Sequence, residues 1–155
     1  MQSEDKRIDI SIIVPCFNEQ EALPFFYKEI TKVLSSIEHE YEILLIDDGS
    51  KDETLAILQE LAKRDSHICY YSFSRNFGKE AAMYAGFCNA RGNYVAVMDA
   101  DMQDPPELLP QMIEILKDGK YDSVATYRAD RKGEPPVRSL FARLFYKLIN
   151  RISEA

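Results

Sequence analysis

The sequence alternates short apolar runs with longer segments in which apolar residues recur at helical spacing. The short runs are rich in β-branched residues and predict strands over 9–14, 41–46, 68–73, 94–98 and 121–126. Amphipathic helices are predicted over 23–37, after Ser50, over 79–91 and over 105–119. Near-continuous apolar strands that alternate with helices predict an α/β fold, with a Rossmann-like, mostly parallel sheet and helices on both faces.

Local signals mark where these helices begin, end and pack. Ser50, with Glu53 three residues later, predicts a capping box at the start of the second helix. Gly119 predicts the end of the fourth helix, because many helices end at a glycine in the left-handed conformation. Gly86 lies in the middle of the third helix, where glycine is unfavourable, and therefore predicts close packing of this helix against the sheet.

Composition limits the class of protein. The 155 residues suit one compact domain, and 46% hydrophobic with 29% charged residues are typical of a globular chain and not of a disordered one. The three cysteines are too few and too scattered for a disulfide framework or a metal-binding pair, so we expect buried, reduced thiols. The first residues contain no apolar signal-peptide core, and no run of about eighteen apolar residues predicts a membrane-spanning helix.

The net charge of −7 is unevenly distributed along the chain. The segment from Arg128 to the end holds seven basic and three acidic residues, and its apolar residues recur at helical spacing from Val137 to Ile152. We therefore expect a main domain over 1–136 and a basic amphipathic helix over 137–155. The basic charge favours contact with an anionic partner, although a solvated basic face explains it at least as well.

Polar residues follow every predicted strand. The clusters lie at 15–19, 47–52, 74–79, 99–104 and 127–128. In an open α/β sheet, ligands bind beyond the carboxyl ends of the strands, where these clusters meet. One cluster would be explained as a turn, but five at the same edge predict a binding site.

Two pairs of carboxylates lie in these clusters. Asp99 and Asp101 are two positions apart at a strand end and suit Mg²⁺ or Mn²⁺, with coordination positions left for phosphate oxygens. In the alternative interpretation, Asp99 caps the following turn and Asp101 is solvated. A helix cap does not require two adjacent acids such as Asp47 and Asp48. One of them is therefore a candidate to accept hydrogen bonds from a ribose or a base.

The candidate phosphate-binding residues are basic. Arg75 and Lys79 flank Gly78 near the start of a helix, a combination that favours a phosphate site, although both could be ordinary surface charges. The sequence contains neither the glycine-rich dinucleotide motif nor a P-loop. His39 and His67 lie in polar connections and are assigned no role.

Together these residues resemble glycosyltransferase family 2, the inverting enzymes with a GT-A fold. The resemblance extends from about Ile10 to Arg138, and it is greatest to the polyprenyl-phosphate sugar synthases, among them the bacterial undecaprenyl-phosphate glucosyltransferases. The matching motifs are Val14-Pro15-Cys16-Phe17-Asn18-Glu19, Asp47-Asp48-Gly49-Ser50 with Asp52 and Thr54 after it, Asn76-Phe77-Gly78-Lys79 and Asp99-Ala100-Asp101-Met102-Gln103-Asp104-Pro105.

The resemblance implies a role for each motif. Asp99 would face the ribose or the sugar of the donor, and Asp101 with Gln103 would bind the metal that bridges its diphosphate. Arg128 and Arg138 would grip the phosphate of the acceptor lipid. The residues expected to contribute to catalysis are Asp99, Asp101 and Arg128. The residues expected to bind the nucleotide-sugar are Pro15, Asn18, Glu19, Asp48, Lys79 and Asp99.

The expected activity is transfer of a sugar, glucose by first choice, from a UDP-sugar to a polyprenyl phosphate. The basic helix after Val137 would lie on the inner leaflet, so the expected location is the cytoplasmic face of the cell membrane. No nucleic acid is expected as a partner, and self-association is possible. Members of the family continue well beyond position 155, so we expect a fragment of the catalytic domain. The alternatives are a donor-binding fragment without activity and a nucleotidyltransferase with a similar fold.

Overall fold

The computed structural model describes residues 8–126, so the expectations for Arg128, Arg138 and the segment 137–155 lie outside the described residues. The strands are β1 (Ile10–Cys16), β2 (Tyr41–Asp47), β3 (Ile68–Ser72) and β4 (Tyr94–Val97). The helices are α1 (Leu23–Leu34), α2 (Thr54–Arg64), α3 (Lys79–Asn89) and α4 (Leu109–Lys117), and a 3-10 turn at Pro106–Leu108 precedes α4. These residues fall almost wholly in one compact unit, which ends at Val124.

All strand pairs are parallel, in the order β3-β2-β1-β4. Ile10 at the start of β1 is level with Tyr41 of β2 on one side and with Tyr94 of β4 on the other. β1 continues past its predicted end through Pro15 to Cys16. Because the pairing with β4 stops at Ile13, the missing N–H of Pro15 removes no bond from that ladder. The predicted parallel sheet is confirmed.

The larger core lies on one face of the sheet. Side chains from β1 and β2 pack there against α1, α2 and α4, with Phe26 and Leu58 among the fully buried residues. The apolar residues of α1 lie along one side of the helix, which explains both its amphipathic sequence and its position against the strands.

The opposite face is covered by α3. Ile13, Leu44 and Ile46 pack there against Ala82. Gly86 lies so close to the sheet that an added Cβ would be 2.3 Å from Cγ2 of Ile13. This confirms the close packing predicted from a glycine in mid-helix, and it confirms helices on both faces.

The connection from α3 to β4 is fixed by a buried carboxylate. Glu42 of β2 is 1% exposed and accepts hydrogen bonds from Ser11 Oγ at 2.7 Å and from Arg91 Nη2 at 2.6 Å. Burial alone would raise the pKa of Glu42, but these hydrogen bonds outweigh it and hold the pKa below its usual value.

Two expectations about secondary structure are wrong. Residues 121–126 form no strand, and their side chains, Tyr121 among them, are mostly exposed. Strand propensity requires a neighbouring strand, and none of the described residues pairs with this segment. Ser50 does not open α2: the helix begins at Thr54, whose N–H is bound by Asp52 Oδ1 at 3.0 Å, while the Ser50 hydroxyl accepts from the N–H of Asn18.

The cysteines differ from the expectation in their burial. Cys16 is buried, Cys69 is partly buried and Cys88 is exposed, and all three are free thiols. Burial raises the pKa of the Cys16 thiol far above its usual value. Among residues 8–126, no helix has the length and apolar character that crossing a bilayer requires.

Candidate functional site

A pocket of about 360 Å³ lies at the carboxyl ends of β1, β2 and β4, beside the start of α3. It occupies the edge where the polar clusters were predicted to meet. Its lining residues come from four of the five clusters, and they are Pro15, Cys16, Phe17, Glu19, Asp48, Asn76, Gly78, Lys79, Asp99, Ala100 and Asp101.

The two acids after β2 are held by hydrogen bonds within the protein. Asp48 is 3% exposed, and its two oxygens accept from the N–H groups of Phe77 at 2.7 Å and of Gly78 at 2.9 Å. Asp47 accepts from Ser50 N at 3.0 Å and from Ser72 Oγ at 2.7 Å. Asp48 therefore lines the pocket and at the same time fixes the backbone that leads into α3.

Gly49 allows two loops to lie in contact. Its φ is +70°, and an added Cβ would be 2.4 Å from the carbonyl carbon of Arg75 and 2.7 Å from the N of Asn76. A side chain would be strained by the positive φ and would also collide with backbone atoms. Only glycine fits, so the loop after β3 is pressed against the turn after β2.

Asn18 and Glu19 belong to a loop that is bound to the same turn. Asn18 has a φ of 56°, donates its N–H to Ser50 Oγ at 2.9 Å and accepts from Lys51 N at 2.9 Å. Glu19 donates its N–H to Thr54 Oγ1 at 2.8 Å. Glu19 lines the pocket. Asn18 does not line it, and its hydrogen bonds hold the loop in place.

Lys79, the first residue of α3, reaches across the pocket to Asp99. Its Nζ is 2.6 Å from Oδ1 and 2.7 Å from Oδ2 of Asp99. Arg75, the second predicted phosphate ligand, does not line the pocket. Its guanidinium lies over the ring of Phe77, 4.7 Å from the ring centre. Of the two predicted cations, Lys79 lines the pocket and Arg75 does not.

The acids of the pocket lie close enough to influence one another. Burial, followed by the nearby carboxylates of Asp101 and Asp99, holds the pKa of Glu19 above its usual value. Asp101 is exposed and accepts from Gln103 N at 3.0 Å through Oδ1. Gln103, predicted to bind metal with Asp101, is not one of the lining residues, but its backbone N–H binds the Asp101 carboxylate.

The arrangement of the acidic groups limits the kind of metal site that they can form. Among residues 8–126, no group of three or more His, Cys, Asp or Glu side chains is arranged to hold a metal ion. Mg²⁺ is commonly bound by one or two carboxylates and completed by water and substrate phosphates. Asp101 and Asp99, open to the pocket, fit this type of shared site and do not fit a closed protein cage.

Five lining residues were not among the predicted site residues (Cys16, Phe17, Asn76, Gly78 and Ala100), and two of these five are exposed. Phe17, with 41% of its surface exposed, and Asn76 lie in the pocket wall. Both belong to clusters that were recognised at strand ends, so position alone could have identified them. Their residue types carried no signal, because an exposed Phe or Asn in a loop is common.

Comparison with known proteins gives a consistent result. The family model described as "Glycosyl transferase family 2" matches residues 11–153. The bactoprenol glucosyl transferase of Shigella phage SfV is 44% identical over 144 residues, which are 93% of this chain and 47% of that protein. The chain thus spans about half the length of the curated relatives it matches.

Solved structures agree with the fold. One match is to the mannosyltransferase PcManGT from Pyrobaculum calidifontis in complex with GDP-Man and Mn²⁺. It has a TM-score of 0.57 at 21% identity and covers 72% of this chain and 33% of the PcManGT chain. Another match is to S. aureus TarS 1-349 in complex with UDP. It has a TM-score of 0.61 at 21% identity and covers 83% of this chain and 38% of the TarS chain. These likenesses identify the α/β architecture as the GT-A fold.

Proposed function

Because the chain belongs to glycosyl transferase family 2, we propose that it is the donor-binding part of an inverting glycosyltransferase that moves a sugar from a nucleotide-sugar to a polyprenyl phosphate. The observation that carries the proposal is the pocket in which Glu19, Asp99, Asp101 and Lys79 converge at the carboxyl edge of the sheet. The likeness to a bactoprenol glucosyl transferase supports a lipid phosphate acceptor, and glucose on UDP as the first donor to test.

The nucleoside is proposed to lie against the β1 and β2 side of the pocket. Pro15, Glu19 and Asp48 line that side, and a carboxylate oxygen that already accepts one backbone N–H still has a second lone pair for a base or a ribose. Asn18 would contribute indirectly, since its hydrogen bonds hold the loop that carries Glu19.

The diphosphate and the sugar are proposed to lie against the β4 side. Asp99 would face the ribose or the sugar, Lys79 the diphosphate, and Asp101 with Gln103 would hold Mg²⁺ or Mn²⁺. Glycosyltransferases of this family and fold generally use a divalent metal ion. When bound, such an ion stabilises the negative charge that develops on the departing nucleoside diphosphate.

The reaction is proposed to be a single displacement. An oxygen of the lipid phosphate attacks the anomeric carbon, the bond from that carbon to the diphosphate oxygen breaks, and the configuration inverts. A phosphomonoester has a second pKa of about 6 and is largely ionised at neutral pH, so the attack needs no strong general base. Arg128 and Arg138, which lie outside the described residues, are proposed to position the acceptor phosphate.

The acceptor also suggests where the protein works. A polyprenyl phosphate is confined to a membrane, and the basic amphipathic sequence of 137–155 would bring the catalytic domain to the anionic inner leaflet. We therefore propose that the protein acts at the cytoplasmic face of the cell membrane.

The test is transfer of labelled sugar by the full-length protein to vesicles that contain a polyprenyl phosphate. UDP-glucose, UDP-N-acetylglucosamine and GDP-mannose are compared as donors, each with Mg²⁺ or Mn²⁺. We expect transfer from one of them, with release of the nucleoside diphosphate. Transfer of the nucleotide to the lipid phosphate, with release of sugar 1-phosphate, would instead identify a nucleotidyltransferase, and donor binding without transfer would contradict the proposed activity.

Asp101→Asn is expected to abolish this transfer, because the carboxylate proposed to bind the metal is lost while the side-chain shape is kept. The rate should fall by a factor on the order of one hundred or more, which is typical for the loss of a group that stabilises the transition state. The matched control is Asp104→Asn, an exposed acid of the same loop that does not line the pocket. Equal rates for the two variants would refute the metal role of Asp101.

A further inference from the structure

The ion pair between Lys79 and Asp99 lies inside the candidate donor pocket. The Lys79 ammonium contacts both oxygens of Asp99, at 2.6 and 2.7 Å. The side chains of Lys79 and Asp99 remain 52% and 39% exposed, so neither is locked in place by packing. A lysine on a flexible four-carbon stem can reach several positions at such a site.

Among residues 8–126, those that line the pocket carry more negative than positive charge. The ionisable lining residues in this range, other than the thiol of Cys16, are four carboxylates (Glu19, Asp48, Asp99 and Asp101) and one ammonium, that of Lys79. Hydrogen bonds from two backbone N–H groups stabilise the carboxylate of Asp48. The remaining acids repel one another. The pKa of Glu19 is raised first by burial and then by the carboxylates of Asp101 and Asp99.

This charge distribution opposes an anionic ligand. A nucleoside diphosphate that entered without a cation would meet an excess of carboxylates. A divalent cation that entered alone at Asp101 would also attract the carboxylate of Asp99, which is open to the same pocket and is already paired with the Lys79 ammonium. Each ligand therefore removes the charge that opposes the other.

We propose, on the basis of the function proposed above, that Lys79 is an exchangeable counter-ion. In the donor-free protein it neutralises Asp99, and when a divalent cation and a nucleoside diphosphate bind together it leaves Asp99 for an oxygen of the diphosphate. Lys79 is then a positioning residue that makes the binding of cation and nucleotide cooperative.

The cooperativity has a defined sign. With Lys79 on Asp99, a cation alone binds weakly, and the nucleotide strengthens cation binding because it attracts the ammonium away. By linkage, the cation must strengthen nucleotide binding by the same factor. A lysine that only stabilised the fold would change neither affinity selectively.

The experiment compares wild-type protein with Lys79→Met, which keeps most of the length of the side chain and removes its charge. The dissociation constant of Mn²⁺ alone is measured from the free-ion signal in electron paramagnetic resonance. That of UDP is then measured by calorimetry at saturating Mn²⁺. We expect Lys79→Met to bind Mn²⁺ alone about fivefold more tightly. We expect it to bind UDP about tenfold more weakly, because a charged hydrogen bond to phosphate is lost.

Two controls separate this exchange from a general effect of charge or folding. Lys117→Met removes a lysine of α4 whose Nζ lies 2.6 Å from Glu114, away from the pocket, and should leave both constants unchanged. Lys79→Arg retains the positive charge and should restore weak Mn²⁺ binding. A thermal melt of each variant verifies folding.

The outcomes are distinct from those of the proposed function. An unchanged or weaker Mn²⁺ affinity in Lys79→Met overturns the exchange, and so does an unchanged UDP affinity. If wild-type protein bound no UDP under any condition, the donor-site proposal would fail, and the comparison of Mn²⁺ affinities would still decide whether Lys79 competes for Asp99.

Discussion

The two pairs of acids at the carboxyl edge of the sheet look alike in the sequence and differ in the structure. The β2 acids, Asp47 and Asp48, are 1% and 3% exposed, and their oxygens accept from backbone N–H groups and a hydroxyl. The β4 acids, Asp99 and Asp101, are open to the pocket, where Asp99 is paired with an ammonium and Asp101 with one backbone N–H.

The difference indicates a division of work between the two pairs. Buried carboxylates with several protein donors stabilise the loops around them, and their removal leaves donors without partners. Exposed carboxylates with few protein donors contribute little to stability and remain available for a ligand. We therefore expect the β2 side of the pocket to govern folding and the β4 side to govern binding.

The largest effect is expected from Gly49→Ala, which disturbs the β2 side directly. The new Cβ would lie 2.4 Å from the carbonyl carbon of Arg75, and the residue would keep a φ near +70°. Backbone strain and overpacking together should lower the free energy of unfolding by about 3 kcal/mol. Urea unfolding monitored by circular dichroism measures the loss.

Gly119→Ala is the matched control for that substitution. Gly119 has a similar φ of +67°, but within residues 8–126 its added Cβ would have open space around it, with no contact closer than 4 Å. Only the conformational strain remains, so we expect a loss of about 1 kcal/mol. Equal losses for the two variants would show that the contact between the turn after β2 and the loop after β3 has no energetic importance.

A second prediction applies one chemical change to both pairs of acids. Asp48→Asn places an amide group where two backbone N–H groups require acceptors, and should lower the free energy of unfolding by about 2 kcal/mol. Asp101→Asn should leave the fold intact and remove Mn²⁺-dependent UDP binding. Calorimetry and urea unfolding of the two variants measure both properties. If Asp101→Asn were the less stable variant, the division between the two sides would be wrong.

The smallest effect concerns pH. The pKa of Glu19 is raised by burial and then by Asp101 and Asp99, so ionisation of Glu19 costs more in the folded than in the unfolded protein. The stabilising contribution of Glu19 is therefore present below the ordinary pKa of glutamate and is lost as the pH rises through the raised value. Asp101→Asn removes one repelling carboxylate and should stabilise the protein by about 0.5 kcal/mol at pH 7, after allowance for solvent screening.

That gain should disappear near pH 3, about one unit below the ordinary pKa of glutamate, because Glu19 is then largely protonated in either variant. Urea unfolding at the two pH values measures it, and carboxyl NMR of Glu19 follows the accompanying fall in its pKa. A gain that persists at the lower pH would mean that Asp101 acts through something other than repulsion of Glu19.

The sequence predicted the sheet better than the loops. Apolar periodicity located β1 to β4 and α1 to α4, and Gly86 predicted close packing against Ile13, because burial of these residues depends on patterns within each segment. The segment 121–126 has the same apolar character but lacks a neighbouring strand in the described structure, and propensity cannot supply one.

Loop contacts could not be predicted because they join distant parts of the chain. Ser50 and Glu53 match a local capping motif, but the Ser50 hydroxyl is taken by the N–H of Asn18, 32 positions earlier. Asp48 and Asp101 were both assigned to the site from their positions at strand ends. Which oxygens are already occupied depends on Phe77, Gly78 and Gln103, and only the three-dimensional structure shows that.

The position of β1 inside the sheet has a consequence for biosynthesis. β1 leaves the ribosome before β2 and β4, and Ile10 meets its neighbour Tyr41 of β2 long before Tyr94 of β4 has been made. Closing the longer loop costs more chain entropy and slows folding. We therefore expect a nascent chain to form the β1–β2 half of the sheet first, with Asp47 and Asp48 in place before Asp99 arrives, so that ligand can bind only after β4 has joined.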